Sequence, residues 1–337
     1  MQIFGVKLLK YRLNSILRVI ILATLFVFLI MLDQWYRFSS GSESAIRLTT
    51  GLAFMVYVLY PYRKWFYIIT LQLVLTYLSH IGQPLTDNII LTCSETIASI
   101  ISAFLFLLIY KSSLNSIRSE SILKILLSAV IGSLIGGMVV HYSFLMMKPL
   151  DNNAISWITW FLSSLTGIVL MAPIIVGWRT IKKDEIAGLV HRSMLELILL
   201  IVSVLVATHL IFSNKVNDIY LSISFPYLIL PFIFWAAIRF HPRILSLLLF
   251  VVCLLILYYT DIGTLTFRQT GQPFQRIINS VQVFILFTVV FSYIMAGIIH
   301  VRKEAEDKVK RLNEDLEERV MERTQALRHT VGALRQS

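Results

Sequence analysis

Glu95 is the residue whose setting says most about chemistry. It lies in the apolar stretch LTCSETIASIISAFLF. A charged side chain within a membrane helix costs about 2.5–3.5 kcal/mol on insertion scales, so it must be paired, neutralised or turned inward. Thr92, Glu95, Ser99 and Ser102 recur at spacings of three and four, which sets them on one helix face. Such a face serves as a ligand or signal site, or as a polar clamp between helices, and the spacing leaves both open. A second stripe holds Ser156, Thr159, Trp160, Ser163 and Gly167, followed by Pro173. Trp157 and Trp160 fall near the end of their stretch, where interfacial aromatics are common; the alternative is that they line the site. Pro226 and Pro231 each remove a backbone donor, which frees the carbonyls of Ser222 and Tyr227. Breaks of this kind either line a cavity or simply kink a helix. Gly132 and Gly136, with Ser133 and Gly137 beside them, make small-residue faces for close helix approach.

These residues need elements to hold them. Of the 337 residues, 57% are hydrophobic and only 15% charged, with a mean hydropathy of +0.77, whereas soluble domains carry about 25% charged residues. Apolar runs near 15–36, 45–62, 65–81, 89–110, 124–146, 154–178, 194–212, 221–239, 244–260 and 278–300 are the candidate spans. Backbone groups in lipid must bond within their own segment, so the runs read as helices, and the dyad alternation of barrel strands is absent. The net charge of +11 does not point to nucleic acid, because the basic residues cluster between apolar runs. Lys7, Lys10, Arg12, Arg18, Arg63, Lys64, Lys111, Arg118, Lys124, Arg179, Lys182, Lys183, Arg192, Arg239 and Arg243 fall on one side. Only Arg37, Arg47, Lys148, Lys215, Arg268 and Arg276 fall on the other. The positive-inside rule then predicts about ten spans with both termini in the cytoplasm. No signal peptide is read at the N-terminus, since the first run is too long and lacks a cleavage site. The longest outer loop is 261–277, too short for a folded outer domain. Cys93 and Cys253 lie within apolar runs and read as buried packing residues.

After Ile299 the composition turns abruptly polar. Val309, Leu312, Leu316, Val320, Leu327, Val331 and Leu334 keep a spacing of three and four with one extra four-residue step at Thr324. That is a heptad seam with a stutter. Glu318 and Glu322 repeat at four, as do Arg319 and Arg323; a partner helix relieves such like-charge pairs. The sequence therefore predicts an all-α protein. A membrane helix bundle over 1–300 precedes a cytoplasmic coiled coil over 301–337 that forms a parallel homodimer.

Three stretches carry a family resemblance: SETIASIISAFLF, WITWFLSSLTGIVLMAPIIVGWR over 157–179, and FPYLILPFIFWAAIRFHPRILSLLLF over 225–250. Over about residues 15–300 the chain resembles the first of the membrane-associated sensor families, the integral-membrane input module of bacterial histidine kinases and GGDEF-type diguanylate cyclases. LEERVMERTQAL, 316–327, looks like the helix that connects such modules to a kinase dimerisation domain. One departure stands out: an acidic residue common in that family three places before the Gly of the second stretch is Ser164 here. The resemblance implies a sensor input in the bacterial inner membrane, with an output domain after residue 337; a kinase is the first expectation and a cyclase the second. Its signal would be a small ligand, a lipid or a partner membrane protein. The candidate sensing residues are Glu95, Thr92, Ser99, Trp157, Trp160, Ser163, Ser164, Pro231 and Trp235. Packing or transmission falls to Gly132, Gly136, Gly167, Pro173 and Pro226, then to Val309, Leu312, Leu316, Val320 and Leu327.

No cofactor or metal is expected. No paired Asp, HExxH or Ser–His arrangement occurs in the spans, and His329 in ALRHTVGAL lacks the neighbouring acid and downstream Pro of a phosphoacceptor box. The rival reading is a transporter or channel, drawn from Glu95 and the broken eighth span; the absence of an evident inverted repeat and the tail weigh against it. The polar faces of the fourth, sixth and eighth spans are expected to converge on one cavity.

Overall fold

The computed structural model describes residues 20–35, 44–110, 119–147, 157–179, 194–213, 225–261 and 274–336. The N-terminal basic residues and the outer loop 262–273 lie outside these, as do most of the charged connections. Among the described residues the structure is helical, with one isolated bridge between Ile81 and Gln83. The helices are α1 (Ile20–Trp35), α2 (Leu48–Leu59), α3 (Trp65–Ser79), α4 (Leu85–Ile109), α5 (Ser119–Met147) and α6 (Trp157–Arg179). They continue with α7 (Met194–Ser213), α8 (Leu230–Arg239), α9 (Pro242–Asp261) and α10 (Phe274–Gln336). Each overlaps one of the ten apolar runs, with α8 shorter than the eighth run and α10 continuing past the tenth. Six of them, α4, α5, α6, α7, α9 and α10, are long and apolar enough to cross a membrane.

The short helices have physical reasons. α2 has 12 residues, about 18 Å at 1.5 Å per residue, less than the roughly 30 Å of a hydrocarbon core. It is buried from Leu48 to Tyr57, and a helix that is apolar all round belongs inside a bundle. Its C-terminal carbonyls, orphaned in any helix, meet the Trp65 indole, whose Nε1 donates to the Tyr57 and Tyr60 carbonyls at 3.1 and 3.2 Å. The eighth span divides: a 3-10 segment, Phe225–Ile229, precedes α8, and Pro231 sits in the first turn of α8, where its missing N–H would be unsatisfied in any case.

α2 and α6 form the centre, with α4 and α5 against one flank and α9 and α10 against the other. The two central backbones meet at glycines. A Cβ on Gly51 would collide with the Gly167 carbonyl oxygen, and one on Gly167 with the Arg47 carbonyl oxygen. α3 is inverted relative to a soluble helix: its buried residues are Gln72, Thr76 and Ser79, while Phe66, Tyr67, Val74 and Leu78 face outward. Lipid is as apolar as a core, so the polar side chains are the ones that seek protein.

α10 is one helix of 63 residues, about 95 Å long. Its first part packs on α5, α6, α8 and α9. In the tail Val309, Leu312, Leu316 and Val320 are each more than half exposed in the single chain. The side chain of Leu327 is outside the described set.

Candidate functional site

Glu95 is held by Arg47, one of the charges that the sequence counts on the outer side. Arg47 immediately precedes α2, and its guanidinium lies 3.6 Å from Glu95 Oε2, with the two side chains 6% and 2% exposed. Arg47 also stacks on the Trp160 indole, its Cζ 5.0 Å from the ring centroid, a cation–π geometry. Its backbone N–H donates to the Ser163 carbonyl at 3.1 Å, and the Ser163 hydroxyl donates to the Ser44 carbonyl at 2.8 Å. Two residues of α6 therefore clamp the stretch that carries Arg47.

A second acid completes the cluster. Asp33, in the last turn of α1, accepts the N–H groups of Leu48 and Thr49 at 3.2 and 3.4 Å. It caps α2 from outside, where the helix dipole favours negative charge. The Thr49 hydroxyl lies 3.0 Å from Asp33 Oδ2 and also donates to Glu95 Oε1. Among the described residues the cluster thus holds two carboxyls and one guanidinium. Asp33, Gln34, Ser44, Arg47, His80 and Glu95 surround a space of about 20 Å³ for the centre of a water molecule, room for about one water. His80 Nδ1 is 2.8 Å from the Thr76 carbonyl, which can only accept, so that nitrogen carries the hydrogen.

From Glu95 a polar path continues along α4. The Gln72 amide donates to the Ser99 hydroxyl at 3.0 Å, and Tyr57 donates its phenol proton to Gln72 Oε1 at 2.7 Å. α10 also reaches the cluster. Gln282 Nε2 donates to the Ala45 carbonyl at 2.9 Å and to the Thr159 carbonyl at 3.2 Å, and the Thr159 hydroxyl donates to Asn279 Oδ1 at 2.7 Å. About 30 Å further along α10, Lys303 Nζ lies 3.3 Å from the Ile238 carbonyl. At that end Arg239 pairs with Glu196 at 2.8 Å and Arg243 Nε donates to the Gly177 carbonyl at 2.7 Å.

The expected site residues separate into groups. Glu95, Trp160 and Ser163 meet at Arg47. Ser99 belongs to the Gln72 network one turn away, and the Thr92 hydroxyl donates to Asn88 Oδ1 at 3.2 Å. Trp157 is half-buried with its carbonyl against Gly137, and Ser164 is fully buried with no partner for its hydroxyl. Gly132 lies against Ser102 and Gly136 against the Trp160 ring; Pro173 is buried inside α6. The interfacial alternative for Trp160 fails, because it is 0% exposed. The expected convergence of the eighth span also fails. Pro231 is exposed and Trp235 half-buried, on a helix that packs against α7, α9 and α10 rather than beside α4; Pro226 is buried in the preceding 3-10 segment.

Sequence reasoning missed Asp33, Arg47, Thr49 and Gln282. The available signal was a lone charged or amide side chain at each end of an apolar run. Arg47 is counted among the outer-side charges, where charge is ordinary, and Asp33 near the end of the first run is not singled out; Gln282 lies within the tenth run and met the intramembrane criterion outright.

No curated protein and no solved structure matches the chain at a significant level. The MASE1 family model matches residues 17–303, nearly the whole helical bundle and the start of the tail. With its apolar helices and buried polar cluster, this makes the chain a multi-pass helical membrane protein of the MASE1 family, the membrane-associated sensor domain of histidine kinases and diguanylate cyclases.

Proposed function

We propose that the Arg47–Glu95–Asp33 cluster is the input site of this sensory module and that α10 carries its state to the tail. The observation that carries the reading is Gln282. One side chain on α10 bonds both to the stretch holding Arg47 and to the helix beneath it. A change in the cluster that shifts Ala45 relative to Thr159 must move Gln282 or break one of its bonds. α10 then continues without interruption to Gln336, so a rotation or tilt at Gln282 is delivered to the seam at Val309, Leu312, Leu316 and Val320. A stuttered seam repacks at small cost.

The seam implies a second copy of this chain, packed in parallel through the tail, with the dimer feeding a histidine kinase first and a diguanylate cyclase second. The clustering of basic residues on one side of the apolar runs supports a bacterial inner-membrane protein with both termini in the cytoplasm. A transport reading draws on the same charges, and the space beside them has room for about one water. The test is output from the natural full-length protein with Gln282→Leu, compared with Ile298→Leu on the exposed face of the same helix. Gln282→Leu should uncouple output from stimulus while the protein still assembles in the membrane; unchanged stimulated output would sink the reading.

A further inference from the structure

The contacts of Thr49 carry a hydrogen count that does not close. Its hydroxyl lies within bonding distance of Asp33 Oδ2 and of Glu95 Oε1, yet it has one hydrogen. A second hydrogen, on one of the carboxyls, gives each of the two oxygen–oxygen contacts its own. In one arrangement Asp33 Oδ2–H donates to Thr49, which donates to Glu95. Glu95 Oε2 then faces Arg47, and Asp33 Oδ1 still accepts the Leu48 N–H. In the other, Glu95 holds the proton, the Thr49 hydroxyl reverses, and Asp33 rests on the α2 amides. Both are complete, and passing between them moves no heavy atom.

A second observation stands outside this count. Arg47 Nε is buried with no acceptor, and Arg47 lines the one-water cavity. The cavity has room for about one water, which could accept from that nitrogen and exchange a proton with the carboxyls.

We infer that the cluster is a proton-binding site, in which Asp33 and Glu95 together hold one proton exchanged through the water of the adjoining cavity. This rests on the cluster being the input site, and it names the ligand. In the release step a carboxyl O–H bond breaks, its electron pair stays on the carboxylate, and the proton passes to the cavity water and on to solvent. Two ionised carboxylates then compete for the single Thr49 hydrogen, with Arg47 and His80 as the basic side chains of the described residues beside them. The repulsion acts between α1 and α4 across the α2 N-terminus.

The charged and titratable groups of the described residues at the cavity are Asp33 from α1, Arg47 before α2, His80 after α3 and Glu95 from α4. α6 and α10 bring only Trp160, Ser163 and Gln282, which are neutral. Asp87 lies two turns from Glu95 on α4, beside the Thr86 hydroxyl at 3.2 Å. A metal cation fits this site poorly, since the guanidinium already occupies the open side of Glu95.

The test is pH-difference infrared spectroscopy of the chain in lipid vesicles, in H2O and D2O. A protonated-carboxyl carbonyl band should appear and vanish with pH, shift in D2O, and be lost in both Asp33→Asn and Glu95→Gln. It should survive in Glu196→Gln, which removes an acid at the far end. In Thr49→Val, which keeps the shape but removes the bridge, the band's pH dependence should shift. No titrating band in the folded wild type, or a band that persists in both acid variants, overturns the proposal. So does a band that responds to sodium or potassium at fixed pH rather than to pH. The spectra need no output domain: a titrating band with pH-independent output would leave the proton site standing and remove only the input reading.

Discussion

Arg47 and Glu95 face each other 3.6 Å apart in the interior, and the helix that leaves the bundle holds the backbone two residues from Arg47 through Gln282. Gln282 therefore links the output helix to the stretch that carries Arg47 and to α6 beneath it.

Breaking the pair from one side should cost more than removing it. Arg47→Met leaves Glu95 buried beside Asp33 without its cation, and stranded buried charges cost about 3–5 kcal/mol. Thermal melting of the purified chain in lipid or detergent should show a large loss for Arg47→Met. The double variant Arg47→Met with Glu95→Leu should recover a substantial part of it. If the double variant is as unstable as the sum of the singles, the two residues do not act as a pair.

Gly167→Ala should disturb the site without touching a polar group. The added Cβ runs into the Arg47 carbonyl, so α2 and α6 must separate. Overpacking of this kind costs about 1–3 kcal/mol. The melting temperature should fall, and Trp160 fluorescence should change as the guanidinium leaves the ring. Wild-type behaviour in both would mean that the glycine contact does not seat Arg47.

The tail should associate in parallel. Val309, Leu312, Leu316 and Val320 are exposed in the single chain, and a seam of this kind is buried by a partner helix. A cysteine at Leu316 in a background lacking Cys93 and Cys253 should form a same-residue crosslink in membranes, and one at Asp315 much less. Leu312→Lys with Leu316→Lys should abolish the crosslink of a cysteine at Val309. Crosslinking at Asp315 equal to that at Leu316 would remove the seam.

Much of this was legible in the sequence, for physical reasons that can be named. Each helix coincides with an apolar run because lipid and core both demand apolar side chains and a self-bonded backbone. Glu95 was legible because a lone acid deep in such a run has few alternatives. Its partners were not. Arg47 and Asp33 sit at the ends of their runs, where a charge ordinarily meets water, and only the three-dimensional path of the chain turns both ends inward. Hydropathy cannot separate a lipid-facing residue from a core residue, so Trp160 and Trp235 looked alike. One proves fully buried under Arg47, and the other lies half-buried on α8. The break at Pro226 and Pro231 was visible as a break, but which cavity a break lines depends on packing that no local pattern encodes.

The most direct measurement of the central claim follows the tail while the cluster is altered. Cysteines placed singly at Val309, Leu312 and Leu316 of the natural full-length protein, in a background without Cys93 and Cys253, report the seam by their relative crosslinking rates in membranes. Glu95→Gln should change the ranking of the three positions and the output together. Adding Gln282→Leu should return the ranking toward that of Gln282→Leu alone, since the Gln282 bonds to the Ala45 and Thr159 carbonyls are gone. A ranking and an output that stay the same when Glu95 is changed would contradict the account, and so would a Glu95 effect that survives intact without Gln282.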